Sequence, residues 1–270
     1  MEPLVSIVMP AYNAGPYLSQ TIDSILAQDY KQFEFIIIND GSTDNSETII
    51  QSYSDSRIRL HSNPGNKGLI YSLNKGVELA QGKYIARIDG DDLALPTRLS
   101  RQVQYLEANP GCDVLATTVA LINEKGDGCG NWPADIKNIT AAQIKNYLPK
   151  DNCIAHPAVM IKTQLLKIFK YDAEQKLGED YDLWLRLIAA GKEIRKLEEP
   201  LTLHRILTTS FTRTRMRNGY YKISRIKRKF VYKQLAQKRC NLFILKTALF
   251  ALFNLIKGTV KEIKWRLKKS

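Results

Sequence analysis

Through the first half of the chain, short apolar runs rich in β-branched residues alternate with stretches whose apolar side chains recur every three to four positions. Residues 4–9 predict a strand, 17–28 a helix and 33–38 a second strand. A helix over 46–53, a short strand over 58–61, a helix over 69–80 and a strand over 84–88 follow. The run Ile36-Ile37-Ile38 is too apolar for a strand with one wet face and suits a central strand covered by helices on both sides. This order predicts an α/β fold built on a mostly parallel sheet. From about residue 113 the pattern loosens into a strand over 114–121, a polar turn over 123–131, a variable stretch to 150 and a strand over 156–161. A helix then opens near Glu179, with Leu183, Trp184, Leu187 and Ile188 on one face. After Arg205 the chain reads as helices, with the Thr/Arg alternation of residues 212–217 as a hinge. The expected division is 1–112, 113–205 and a helical tail, 206–270.

In parallel sheets ligands bind where strands end and loops begin. Here those loops read Pro10-Ala11-Tyr12-Asn13, Asn39-Asp40-Gly41-Ser42-Thr43-Asp44 and Asp89-Gly90-Asp91-Asp92. Carboxylates crowded after an apolar strand suit Mg2+ or Mn2+, which bind a few protein oxygens together with substrate phosphates. The plainer alternative is an acidic turn that caps the next helix. Asp40 could accept from the N–H of a base or simply shape a turn, and Tyr12 could stack on a base or only pack.

A composition of 44% hydrophobic and 25% charged residues over 270 positions describes a globular chain with one sizeable core or two fused halves. It excludes a disordered, collagenous or multi-pass membrane protein. The net charge of +13 is unevenly placed: residues 205–270 hold 19 Lys and Arg against Glu262 alone, whereas residues 1–204 hold 21 Lys and Arg against 26 Asp and Glu. The basic character therefore belongs to the tail and its partner, and carries no information about the body's ligand. Four scattered cysteines without a C-x-x-C pair read as reduced thiols. Met1-Glu2-Pro3 shows no basic leader, so the expected location is cytoplasmic, peripheral at the inner membrane face.

The apolar stretch 242–256 is interrupted by Lys246 and falls short of the roughly 20 residues a span requires. On a helical wheel Lys246, Thr247, Asn254, Lys257, Lys261, Lys264 and Lys268 gather on one side of residues 242–268, against a wide apolar arc. This is the pattern of a helix lying on an anionic membrane surface, supported by the basic cluster Arg225, Lys227, Arg228 and Lys229. The alternative is a helix packed on the body or on a second subunit of a homo-oligomer. No nucleic acid is expected, because the tail's aromatic residues are not interleaved with its charges as a stacking platform.

Taken in order, Val5-Ser6-Ile7-Val8-Met9-Pro10-Ala11-Tyr12-Asn13, the Asn39–Asp44 loop, Asn66-Lys67-Gly68-Leu69, Tyr84-Ile85-Ala86-Arg87-Ile88-Asp89-Gly90-Asp91-Asp92, His156-Pro157-Ala158 and Gly178-Glu179-Asp180-Tyr181-Asp182-Leu183-Trp184 resemble the family 2 glycosyltransferases. The likeness runs over roughly residues 4–207 and implies the GT-A fold, a Rossmann-like sheet flanked by helices. It further implies an inverting transfer from a nucleoside-diphosphate sugar, most often UDP-linked, to a glycan or lipid-linked acceptor, with Mn2+ or Mg2+ as cofactor. On the matching positions, Pro10, Tyr12, Asn13, Asp40, Asn66, Lys67, Asp89, Gly90 and Arg205 fall to the donor nucleotide, and Asp91 with Asp89 to the metal. Asp180 becomes the catalytic base, and His156, Glu179 and Trp184 border the acceptor, although Trp184 also reads as core.

Three departures from the family pattern stand out. Asn39 replaces the first carboxylate of a D-D-G-S motif, Gly90 replaces an alanine, and Leu207 stands where a Y-R-x-H motif has its histidine, with His204 three residues earlier. A noncatalytic nucleotide-sugar or nucleic-acid binding protein, recruited by its tail, is the alternative function.

Overall fold

The computed structural model describes residues 2–175, 177–207 and 219–267; the hinge expected at 212–217 lies outside the described residues. Strand β1 (Val5–Ala11) pairs in parallel with β2 (Phe33–Asn39) on one side and with β4 (Tyr84–Arg87) on the other, and β3 (Ile58–Ser62) extends the sheet beyond β2. The parallel order stops there. Strand β8 (Met160–Lys162) runs antiparallel to both β4 and β6 (Val114–Ile122), while β6 lies parallel to the long β9 (Ile194–Arg205). The short β5 (Leu93–Ala94) and β7 (Gly128–Asn131) pair antiparallel with β9 and β6. The sheet is thus parallel in its first half and mixed in its second.

The isoleucine run of β2 behaves as its composition requires. Alternate side chains point to opposite faces of a strand. Val8, Ile36 and Ile38 therefore pack with α3 (Leu69–Leu79), while Ile7, Met9 and Ile37 pack with α1 (Gly15–Leu26) and α4 (Arg98–Ala108). Helix α2 (Ser46–Gln51) follows the second strand, and α5 (Pro133–Lys137), α6 (Ala141–Tyr147) and α7 (Thr163–Phe169) fill the variable stretches. The segment predicted as a strand over 156–161 divides into a 3-10 turn, His156–Ala158, and β8, because Pro157 has no N–H to give to a sheet ladder.

Under the second half lies a fully buried ion pair. Lys196 Nζ on β9 donates to Asp135 Oδ1 at 2.7 Å, to the Asp135 carbonyl at 2.8 Å and to the Cys153 carbonyl at 2.7 Å. Asp135 Oδ2 accepts the Val119 N–H at 2.9 Å. Removing one partner of such a pair strands the other charge. Lys196→Met is expected to lower unfolding stability by about 3–5 kcal/mol, read as a lower urea midpoint at unchanged slope.

Helices α8 (Glu179–Ala189), α9 (Gly219–Ala236) and α10 (Leu242–Leu267) complete the fold. The tail is part of the body: Ile226, Phe230, Phe243 and Ile244 enter the same core as Leu183, Trp184 and Leu187 of α8. Its wheel does not face as a simple amphipathic reading predicts. Thr247 and Asn254, members of the expected polar stripe, are buried. The reason is Lys227, itself buried on α9, whose Nζ donates to Asn254 Oδ1 at 2.9 Å and to the Lys150 carbonyl at 2.7 Å.

Candidate active site

The carboxyl ends of β1, β2, β3 and β4 bring the predicted loops to one edge, and hydrogen bonds lock them together. Asn13, at φ +49°, accepts the Thr43 N–H on Oδ1 at 2.8 Å and gives its own N–H to Ser42 Oγ at 3.0 Å. Asp44 accepts the Gly15 N–H at 3.0 Å. Asn39, in place of a carboxylate, accepts the Ser42 N–H and donates to Glu47. An amide serves both contacts, which a carboxylate could not.

Asp40 is buried, and its carboxylate accepts from Asn63 Nδ2 at 2.7 Å, the Lys67 N–H at 3.0 Å and the Gly68 N–H at 2.8 Å. It therefore anchors the loop that carries Asn66 and Lys67, both exposed. Gly41 makes the approach of the two loops possible. It sits at φ +68°, and a Cβ there would lie 2.4 Å from the Cα of Gly65. Asp40→Asn turns an acceptor into a donor against these N–H groups. It is expected to lower stability by roughly 1–3 kcal/mol, as measured by thermal unfolding. Tyr12 stands at the rim, 47% exposed, whereas Pro10 is buried within β1.

Beyond β4, one carboxylate oxygen from each of Asp89, Asp91 and Asp92 falls within 4.8 Å of the others. They are differently supported. Asp89 is ion-paired to Arg87, and Asp92 accepts from the Arg205 N–H at 2.8 Å and lies against His204 Nδ1 at 3.0 Å. Asp91 accepts no side-chain or backbone hydrogen bond on its carboxylate among the described residues. Burial, then the charges of Asp89 and Asp92, push its carboxyl up to about 7. His204 is raised as well: burial opposes its charge, but Asp92, with the help of Asp89 and Asp91, overcomes it and lifts the imidazole to about 9.

Arg205 is buried and spent on structure. It donates to the Asp91 carbonyl at 2.9 Å, to the carbonyls of Asn123 and Glu124 and to Gln20, and it lies over the Tyr17 ring. Its place is behind Asp91, holding that backbone. Gly90 is buried against Ala14 and Leu18.

The second half contributes Glu179 and Asp180, the first two residues of α8, in a turn where carboxylates oppose the positive end of the helix dipole. Gly178 precedes them at φ +70°, and a Cβ there would meet Ile226 of α9 at 2.6 Å. Asn152 Nδ2 donates to Asp180 Oδ2 at 2.9 Å. Burial and the neighbouring Asp180 push Glu179 up to about 7, and burial also raises Asp180. His156 bonds the Tyr171 hydroxyl through Nε2 at 2.8 Å, with Nδ1 3.9 Å from Glu179; burial keeps the ring neutral. Trp184 is fully buried beside His156. This corrects its assignment to the acceptor: the indole belongs to the core.

Arg87 joins the two halves. Its guanidinium is buried, is ion-paired to Asp89, and has Nε and Nη1 without hydrogen-bond partners among the described residues. Its charge also acts on Glu179, Asp180 and Tyr171. The acidic triplet and the pair on α8 therefore share one electrostatic neighbourhood.

The family model described as glycosyl transferase family 2 matches residues 6–169. The chain belongs to this family. A relative from Methanocaldococcus jannaschii, the uncharacterized glycosyltransferase MJ1057, is 38% identical over 86% of this chain and 77% of its own length. The O-antigen biosynthesis glycosyltransferase WbnJ of Escherichia coli is 32% identical over 81% of this chain and 85% of its own. Among solved structures, S. aureus TarS residues 1–349 in complex with UDP-GlcNAc superposes with a TM-score of 0.73 at 18% identity, covering 93% of this chain and 71% of that one. The mannosyltransferase PcManGT from Pyrobaculum calidifontis, in complex with GDP-Man and Mn2+, gives 0.66 at 16% identity over 96% and 76%. The fold is that of the GT-A glycosyltransferases.

Within this family member, sequence reasoning missed Arg87, Asn152, Tyr171 and the contact of His204 with Asp92. Arg87 carried a signal: it is the one charged residue in the otherwise apolar run of β4. Asn152 carried none, since its role depends on a loop meeting a helix 28 residues later.

Proposed function

We propose that the chain is an inverting glycosyltransferase that moves a hexosyl or N-acetylhexosaminyl group from a nucleoside-diphosphate donor, with UDP as its nucleotide, to a hydroxyl of a glycan or lipid-linked acceptor in cell-surface polysaccharide synthesis, at the cytoplasmic face of a membrane. The observation that carries this reading is the position of Arg87, paired to Asp89 of the acidic triplet while its charge acts on Glu179 and Asp180.

Oxygen ligands at this spacing fit Mn2+ or Mg2+. Asp91 and Asp89 would hold the ion, which when bound supplies Lewis-acid stabilisation of the departing diphosphate. Asp92, clamped by His204 and the Arg205 N–H, keeps the turn in shape, and Arg205 fixes the Asp91 backbone. Tyr12 offers a ring for the base, and the loop anchored by Asp40 lies along the nucleotide.

Asp180, oriented by Asn152, takes the proton of the acceptor hydroxyl as its oxygen attacks the anomeric carbon. The bond from that carbon to the diphosphate oxygen breaks with inversion. A base with a raised proton affinity suits this role near neutral pH. Complexes of TarS with UDP-GlcNAc and of PcManGT with GDP-Man and Mn2+ support the donor class and the metal, and the name of WbnJ supports the pathway class.

The test is a panel of nucleotide sugars with and without Mn2+. One nucleoside-diphosphate sugar should raise the melting temperature only with metal present and release its nucleoside diphosphate. Pyrophosphate release, or no metal-dependent ligand in the panel, would overturn the reading.

A further inference from the structure

Helix α10 is turned inside out relative to an ordinary surface helix. Phe243, Ile244, Thr247, Ala251, Asn254 and Gly258 face the body. Opposite them, Leu245, Leu249, Leu252, Ile256, Val260 and Ile263 form a stripe, each between 46% and 65% exposed. At 3.6 residues per turn these six fall within an arc of about 80° and extend over roughly 27 Å. Contiguous apolar surface of this length marks an interaction site.

The charge around the stripe identifies the partner. Lys246, Lys257 and Lys264 follow one border, all exposed, and Arg225 and Arg228 add exposed charge on α9. The segment from 205 to 270 carries 19 cations and one carboxylate. Two copies meeting through this surface would bring like charges together, whereas an anionic bilayer offers acyl chains to the leucines and phosphates to their lysine border. The helix is long and apolar enough to cross a membrane by composition. Crossing would strip Asn254 from the buried Lys227 ammonium and Phe243 and Ile244 from the core. The packed face holds the helix in the plane of the interface.

We infer that the exposed face of α10, with its lysine border and the basic face of α9, is a docking surface for an anionic lipid bilayer. This deepens the membrane location proposed above by naming the surface and the lipid chemistry it takes. It is independent of the transfer chemistry.

The test is vesicle flotation of the full chain and of a Leu249→Gln/Leu252→Gln/Ile256→Gln variant, on phosphatidylcholine with and without phosphatidylglycerol, alongside sedimentation over a range of protein concentrations. The wild-type chain should float with phosphatidylglycerol vesicles and remain largely free with phosphatidylcholine alone. The variant should lose vesicle binding by at least tenfold, with melting temperature and metal-dependent donor binding unchanged. A wild-type chain that stays unbound on anionic vesicles would overturn the inference, as would equal binding to both lipids. A concentration-dependent dimer abolished in the variant would assign the stripe to a second copy. Metal-dependent donor binding, read separately, tells a failed docking surface from a failed transferase.

Discussion

Asp180→Asn should abolish sugar transfer while nucleotide affinity stays within about a factor of three, since general-base catalysis contributes roughly 10²–10⁴-fold. The substitution keeps the size of the side chain and a partner for Asn152, so a fold defect is not the expected cause. Single-turnover transfer and calorimetric titration of UDP with Mn2+ separate the two effects. Retained turnover would remove Asp180 from the mechanism, and lost nucleotide binding would place it on the donor.

The pH dependence follows from the same pair. Burial, then the charge of Asp180, push Glu179 up to about 7, and burial raises Asp180, so the pair retains a proton it would lose in water. A base must be free of its proton, so kcat/KM should rise with pH along an acidic limb that lies above the ordinary carboxylate range. The apparent value belongs to the pair rather than to one residue. Glu179→Gln removes the neighbouring negative charge and should shift the limb to lower pH.

Asp91→Asn should produce the other large loss. Its carboxylate is the member of the triplet that neither Arg87 nor His204 holds by a hydrogen bond or ion pair, so its removal takes the proposed metal ligand without undoing the local scaffold. Lewis-acid stabilisation of a leaving group is worth several kcal/mol, which corresponds to about 100-fold or more in rate. The melting-temperature rise that donor and Mn2+ produce together should vanish in the variant, whereas that of the unliganded protein should change little. Unaltered metal-dependent stabilisation would move the metal elsewhere.

The parallel half of the fold was legible because β1, β2 and β4 are buried on both faces and its helices are strongly periodic. β1, β2, α1 and α3 lie within a few residues of their expected limits. The long β9 and helices α4 to α7 were not foreseen. β9 mixes Arg195, Lys196, Glu198, Glu199 and Pro200 into its length, and its pairing with β6 is a long-range contact that local pattern does not encode. In the site, motif residues with short local spacing were readable. Those that act across the fold were hidden until distant segments met: Arg87 between the triplet and the carboxylate pair of α8, and Asn152 on Asp180. Arg205 and Trp184 were recognised as important from their motifs, but their burial assigns them to support.

The meeting of Gly178 with Ile226 bears on how this chain can be cut. Ending it near residue 206, the natural way to make a tail-free catalytic fragment, would take away Ile226, Phe230, Phe243 and Ile244 from the shared core and leave the turn before Asp180 without its floor. Such a fragment would be inactive, or insoluble, for reasons that have nothing to do with lipid. The tail is the underside of the turn that opens α8 as much as an appendage, and its surface can be probed only residue by residue.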